Sequence, residues 1–459
     1  MCVISAGADG KDIQCNTHQC HIFGGGFLKK RIPALAAAAV LALSSCSASV
    51  EELLSPPRLD GEQTEIYSAL RKFTSGDIIF KYPRSGQYRS AFVVTDLDDE
   101  PTDEAIVFYE VPNVSDGSSL RMNFLDKQDG KWVSVYDFAA SGSEVDSVRF
   151  EDLGSGSTMI IVTYLMQSTS DRYTSVMTYS GGVPEELMSV RNIFMDVFDT
   201  DGNGCGEMFV ISNERPTGSA WSHIYGTRDG KFGEIGFTPL NSGFAGIKDV
   251  FCGITGGMHT VFVDYTFSDG TFGTDAVVAG NGYYYLSPAL DPDVTMRVSN
   301  SYTPYIPCMD VDSDGEIEIP RSVPFPGFEE MPAAEQINMT EWYSLTRNAT
   351  AGSLKYRSFA GTKGDYIFLF PDNWLGVTAA VSISEGTVVF NRYDNISGIM
   401  GEELLRLYGT ADGGTDRFDS GEYRYLGRSD STGYSYYAVI SDSSFAPTDE
   451  ELEKLFIIR

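Results

Sequence analysis

The chain has 459 residues, 42% of them hydrophobic and 12% aromatic, with 33 Lys and Arg against 64 Asp and Glu for a net charge of −31. That length and apolar content exclude a disordered chain, and the acidic excess argues against nucleic acid and anionic lipid headgroups as direct ligands. The 47 Gly, 25 Tyr and 28 Phe favour strands and turns over helices, and four His leave little material for a His-rich metal site.

At the N-terminus, Lys29-Lys30-Arg31 precede an apolar run from Ile32 to Leu43. Twelve residues are fewer than the ~20 that span a bilayer, and a basic flank with a small-residue end reads as a secretory signal over residues 1–45. Leu43-Ser44-Ser45-Cys46 resembles the bacterial lipobox. The resemblance implies a diacylglyceryl thioether on Cys46, often with a further acyl chain (palmitate-type lipid), and two chains anchor firmly where one does not. The mature protein is then expected to be extracytoplasmic, on the outer leaflet of a bacterial cell membrane. The polar preface, with Cys2, Cys15, His18, Cys20 and His21, would be lost with the signal, and a start near Phe27 or Leu28 fits better. Residues 46–60 read as a tether broken by Pro56-Pro57. The thiols left beyond Cys46 are Cys205, Cys252 and Cys308, an odd number that gives no disulfide framework; we read them as buried thiols, with one pair left open.

Residues 61–358 hold the informative pattern. A helix is expected over Glu65–Phe73, and GDIIFKYP begins the sheet structure. Three segments then share an acidic arrangement: Asp96, Asp98, Glu100 and Glu104; Asp199, Asp201, Asn203 and Glu207; Asp310, Asp312, Asp314 and Glu318. Each has an acid or amide at positions 1, 3 and 5 and a Glu at 9, between strand-like runs such as AFVVTD and AIVFYEV. Weaker copies are read from Asp152 and Asp249, so the starts fall 56, 47, 50 and 61 residues apart. A period near 50 with three or four short strands per unit reads as a β-propeller blade. Hairpins are expected between the loops, with Gln128-Asp129-Gly130 making one turn. Five blades fit best, with six or seven left open.

Carboxylates at alternate positions of a tight loop converge on one point, which suits a hard cation with oxygen ligands such as Ca²⁺. An EF-hand closes with Glu at position 12 on a helix; here Glu stands at 9 and opens a strand, so the loop is of another kind. It resembles the FG-GAP or integrin-α (VCBS-like) calcium-loop propellers, and most nearly the lipoproteins of Gram-positive gut bacteria that carry such repeats. The resemblance covers roughly residues 60–345. It implies structural Ca²⁺ held by Asp199, Asp201, Asn203, the Cys205 carbonyl and Glu207. The corresponding third set is Asp310, Asp312, Asp314, the Glu316 carbonyl and Glu318. The first set would be Asp96, Asp98, Glu100, the Thr102 carbonyl and Glu104, but Pro101 there replaces the turn Gly.

From residue 364 to 459 a separate small α+β domain is expected. DYIFLFPDNW, VTAAVSIS and TVVFNRY read as strands, MGEELLRLYG as a helix, YRYLG and YSYYAVISD as a strand pair, and the segment after Thr448 as a capped helix. The strand order and the Pro371–Trp374 segment resemble the PsbP/Mog1 fold.

No His-Glu-x-x-His, Gly-x-Ser-x-Gly, Walker or Cys-x-x-Cys motif occurs, and no catalytic residue is assigned. His223 and His259 lie on strand-like runs and read as packing or surface residues. The expected function is therefore a surface binding or scaffold protein, with a cell-wall or host glycan, or a protein, as partner. A propeller-based glycan hydrolase or lyase is the alternative. Tyr283-Tyr284-Tyr285 and Tyr434, Tyr436 and Tyr437 are the aromatics able to stack on sugars, though packing is their commoner use.

Overall fold

Short apolar runs buried on both faces set the architecture. In Met159-Ile160-Ile161-Val162, Ile160 and Val162 pack with Ile106, Phe108 and Met122, whereas Met159 and Ile161 pack with Met208 and Val210. The next such run repeats the division, because Met208 and Val210 face back while Phe209 and Ile211 pack forward with Val261 and Val263. Alternate side chains of one strand enter two cores, so the second and third sheets are each sandwiched between their neighbours and their central strands read as unbroken apolar runs.

The computed structural model describes residues 59–459 except 75, 99, 113–118, 167–171, 215–218, 242, 281, 289, 291–296, 347–351, 375–377, 385, 395, 412–417 and 419–420. The expected signal, the lipobox Cys46 and nearly all of the tether lie outside the described residues. No helix among the described residues is long and apolar enough to cross a membrane.

The protein is mainly β, with several antiparallel sheets met in chain order. The first holds Phe92–Thr95, Glu104–Glu110, Leu120–Gln128 and Lys131–Ala139, and Ile79–Phe80 shares one edge of Glu104–Glu110. Glu144–Glu151, Met159–Leu165, Arg172–Ser180 and Val183–Asn192 make the second. The third comprises Phe194–Phe198, Glu207–Glu214, Ser219–Arg228 and Lys231–Pro239. In the fourth are Phe244–Thr255, Met258–Phe267, Phe272–Gly280 and Tyr283–Leu286. The fifth runs Ile319–Pro324, Asn338–Leu345, Gly352–Ala360 and Tyr366–Leu369, and its edge is completed by Phe456–Ile458 from the chain end. A sixth contains Thr378–Ser384, Thr387–Asp394, Ile399–Thr410, Ser435–Ile440 and Arg424–Arg428.

Turn chemistry explains the meanders. Asp129-Gly130, Gly181-Gly182 and Asp229-Gly230 join the last two strands of the first three sheets, with φ of 53° and 74°, 57° and 81°, and 51° and 72°. Both turn residues are left-handed, the two-residue geometry that matches strand twist. The helix Gly61–Phe73 buries Ile66, Ala69 and Leu70, and Thr448 caps Asp449–Leu455 through a reciprocal bond pair with Glu451.

Two expectations are corrected. MGEELLRLYG is strand, not helix, within Ile399–Thr410: its Leu405 and Leu407 pair with Ile440 and Ala438 on one side and Phe390 and Val388 on the other. Local helix propensity yields to these two ladders. Asp249 does not open an acidic loop; it lies inside Phe244–Thr255, paired with Asp264, and the turn there is only Gly256-Gly257. Beyond residue 364, Tyr366–Leu369 pairs with Gly352–Ala360 in the fifth sheet, while the sixth sheet and the one short α-helix among the described residues follow.

Candidate metal loops and the adjoining cavity

The acidic loops all span the same hairpin position. The residue before each loop pairs with its closing Glu: Thr95 with Glu104, Phe198 with Glu207 and Met309 with Glu318. Those glutamates are buried, and in each loop the residue after the first Asp donates its N–H to Oε2: Leu97 at 2.8 Å, Thr200 at 2.8 Å and Val311 at 3.0 Å. One oxygen is fixed by backbone, which leaves Oε1 to face the loop interior.

The first Asp organises the turn. Asp199 Oδ1 accepts from the N–H groups of Gly202 (2.7 Å) and Asn203 (3.1 Å), and Oδ2 from Gly204 (3.1 Å). Asp310 likewise accepts from Asp314 (3.1 Å) and Gly315 (2.9 Å). Gly202, Gly204 and Gly315 have φ of 78°, 87° and 91°, which a side chain would strain.

These turns gather carboxylate oxygens from Asp96, Asp98 and Glu104, from Asp199, Asp201 and Glu207, and from Asp310, Asp312 and Glu318, each set within 4.8 Å of one another. Each set can hold a metal ion, with oxygen donors suited to a hard cation. Without a counter-ion the sets are electrostatically costly. Burial, then the Asp98, Asp126 and Asp96 charges, push Glu104 up to about 7 against one opposing N–H bond. Glu207 is raised by burial and by Asp201 and Asp199, although two bonds from Thr200 oppose the shift.

Other residues named from the sequence behave differently. Glu100 and Thr102 are exposed and outside the first carboxylate set. Asn203 Oδ1 accepts from the Cys205 N–H at 2.7 Å, and the Cys205 thiol is free and exposed, not buried. The Glu316 side chain turns away to accept from Gly256 and Gly257, each at 3.2 Å. Asp314 meets Lys355, whose Nζ also reaches Asp312 and Glu318; the sequence pattern of the loop contained no hint of this lysine. The second sheet keeps a worn loop, where buried Met159 pairs with Glu151 in place of the closing Glu. There Asp152 is satisfied by the N–H groups of Ser155 and Gly156 at 2.8 and 3.0 Å.

A cavity of about 260 Å³ adjoins the second loop, lined by Asp201, Arg228, Ala279, Gly280, Tyr283 and Tyr284 among others. Tyr283 is 75% exposed, whereas Tyr284 is buried and its hydroxyl lies 2.8 Å from Thr200 Oγ1. The cavity thus offers an aromatic face, a guanidinium and one carboxylate. His259 packs against the same loop, its Nδ1 3.4 Å from the Asp199 carbonyl. His223 lies elsewhere in the third sheet, between Ser212 Oγ (3.1 Å) and Glu234 Oε1 (2.6 Å), and acts as a polar tie across three strands.

No family model and no curated protein matches the chain. Among solved structures, an exotype rhamnogalacturonan lyase, YesX, aligns with 72% of this chain and 72% of its own at 11% identity and a TM-score of 0.23. An exo-β-1,3-galactanase from Phanerochaete chrysosporium aligns with 83% of this chain and 92% of its own at 9% identity and a TM-score of 0.23. A rhamnogalacturonan lyase from Bacillus licheniformis aligns with 80% and 92% at 9% identity and a TM-score of 0.27. By name these are glycan-acting enzymes, the general kind of the alternative reading and not of the binding one. At such TM-scores the likeness assigns neither fold nor chemistry.

Proposed function

We propose that this chain is a lipid-anchored extracytoplasmic β-propeller, stabilised by Ca²⁺ in its Asp199–Glu207 loop, that binds a glycan without consuming it. The observation that carries the reading is the second loop: Asp199, Asp201 and Glu207 converge on one point, and Asp201 also lines the cavity that presents Tyr283. A cation there fixes the loop and, with it, one wall of the cavity. An exposed tyrosine face beside Arg228 suits a sugar ring with its hydroxyls or a carboxylate. The described lining holds one carboxylate, where glycoside hydrolysis uses two. Stacked four-stranded sheets that share cores on both faces support blades.

The test is titration of the purified ectodomain with cell-wall oligosaccharides, with and without chelator. Binding that requires calcium, weakens about tenfold in Tyr283→Ala (a stacking loss near 1.4 kcal/mol) and yields no product is the expected result. Glycan turnover would establish the hydrolase or lyase reading instead.

A further inference from the structure

The third acidic loop contains a cation that the chain itself supplies. Lys355 Nζ lies 2.9 Å from Asp312 Oδ2, 2.5 Å from Asp314 Oδ2 and 2.8 Å from Glu318 Oε1. An ammonium has three N–H donors, so each points at a different carboxylate. The Glu318 side chain is fully buried and that of Lys355 is 25% exposed, which places the charge inside the loop and not on its rim. Tyr356 supports it by donating to Asp312 Oδ2 at 2.7 Å.

The position of Lys355 is set by the sheet. Trp342 pairs with Tyr356 and Tyr343 with Leu354, so Lys355 is the extra residue of a β-bulge. The same bulge recurs beside every loop hairpin: Val135 in the first sheet, Leu187 in the second and Ile235 in the third. The equivalence holds residue for residue. The strand residue just before the bulge is Ser134, Glu186, Glu234 or Leu354. It faces Leu125, Met177, Tyr225 or Tyr343, which in turn faces the residue after the loop-closing position: Ala105, Ile160, Met208 or Ile319. In the third sheet a Cβ on Gly226 would meet Glu207 Cγ at 3.0 Å and Ile235 Cδ1 at 3.2 Å, so Ile235 approaches the closing Glu there as Lys355 does in the fifth. Charge follows the bulge. Asp312, Asp314 and Glu318 each meet the Lys355 ammonium directly, whereas Asp199, Asp201 and Glu207 stand beside neutral Asn203 and Ile235. Asp199, Asp201 and Glu207 join no ion pair among the described residues.

We propose that Lys355 is a tethered replacement for the divalent cation in the Asp310–Glu318 loop, and that the bulge residue decides which acidic loops depend on metal. The second loop, with Ile235, requires an external cation; the third does not. This rests on the calcium reading for the second loop, and the experiment separates the two.

Calcium chloride is titrated calorimetrically into the full ectodomain and into single variants, and melting is followed in chelator and in calcium. Lys355→Met should gain one calcium equivalent, Ile235→Lys should lose one, and Asp312→Asn in the otherwise native chain should leave the stoichiometry unchanged. In chelator, Lys355→Met should melt lower than the native protein and recover in calcium, whereas Ile235→Lys should melt higher. Loss of one equivalent in Asp312→Asn would mean that Lys355 yields its place to the metal, and would overturn the inference. So would an unchanged melting temperature for Lys355→Met in chelator, whatever the calcium result. Absence of calcium binding in the native chain and in Asp201→Asn alike would instead overturn the calcium reading, with the chelator melts still deciding the role of Lys355.

Discussion

Replacing Arg297 by Met removes the cation from a pair that has no access to water. The Arg297 side chain is 2% exposed and that of Asp264 is 0%. Arg297 Nη2 donates to Asp264 Oδ1 at 2.9 Å and to the Gly273 carbonyl at 3.0 Å, while Nη1 reaches Asp264 Oδ2 at 3.3 Å and the Ile306 carbonyl at 2.9 Å. Tyr305 adds a bond to Asp264 Oδ2 at 2.6 Å, and Thr274 also donates to the carboxylate. These contacts fasten the stretch between the fourth and fifth sheets to the Phe272–Gly280 strand. Leaving Asp264 buried without its partner should cost about 3–5 kcal/mol. Replacing both residues, as in Asp264→Leu with Arg297→Met, should recover part of that loss. Equilibrium urea unfolding measures the cost, and labelling of Cys308 gives a local reading. The Cys308 thiol is 3% exposed and 3.6 Å from Asp264 Oδ1, so at a tenfold change per ~1.4 kcal/mol its labelling should accelerate about 100- to 4,000-fold. Burial opposes ionisation of Asp264, but Arg297 and the hydroxyl donors outweigh it and hold the carboxyl below its ordinary 3.8. With a depressed native value, the stabilisation is complete above pH 3.8 and is lost as pH falls through that lower value. Native stability should therefore hold from pH 7 to about 4, whereas Arg297→Met, whose buried carboxyl is raised once its partner is gone, should gain stability over the same fall in pH, so the difference is largest at pH 7 and narrows toward 4. A cost under about 1 kcal/mol with unchanged Cys308 labelling would refute the account.

Three further outcomes are expected. Gly256→Ala places a Cβ 2.6 Å from the Leu345 carbonyl oxygen at φ 58°, whereas Gly230→Ala, at φ 72°, meets nothing within 4 Å; the second should cost about 1–2 kcal/mol and the first clearly more, by urea unfolding. Trp374, 2% exposed, packs on Phe368, Phe370 and Phe390 and donates to the Phe445 carbonyl at 2.7 Å, so Trp374→Ala should cost about 3–5 kcal/mol. Thr448→Ala breaks the reciprocal cap with Glu451 and should cost about 1 kcal/mol, measured in the same way.

The acidic spacing was the most legible part of the chain, because positions 1, 3 and 9 of a tight hairpin loop must converge and here they do in three sheets. The Asp129-Gly130 turn was equally readable from its residue types. The limits came from partners remote in sequence. Leu404, Leu405, Leu407 and Tyr408 satisfy a helical period, and only the ladders from Thr387–Asp394 and Ser435–Ile440 make them a strand. Asp249 fitted the repeat spacing, yet the fourth sheet closes with two glycines and no loop. Lys355 lay outside any loop motif. Its signal was a constant offset from the hairpin, visible as Gly130 to Val135, Gly182 to Leu187 and Gly230 to Ile235, and lost in the fifth sheet, where the residue five places before Lys355 is Thr350 and not a glycine.

The fifth sheet also has a timetable. Tyr366, Ile367, Phe368 and Leu369 are all buried, and the strand that covers their free edge is Phe456–Ile458. During synthesis at about 5–20 residues per second, roughly 4 to 17 s separate Leu369 from Phe456. For that interval the nascent chain presents an apolar, unpaired strand edge of the kind that recruits other chains. Shortening the chain by its last four residues makes that transient state permanent, so such a truncation should fail through aggregation and not through loss of any metal loop.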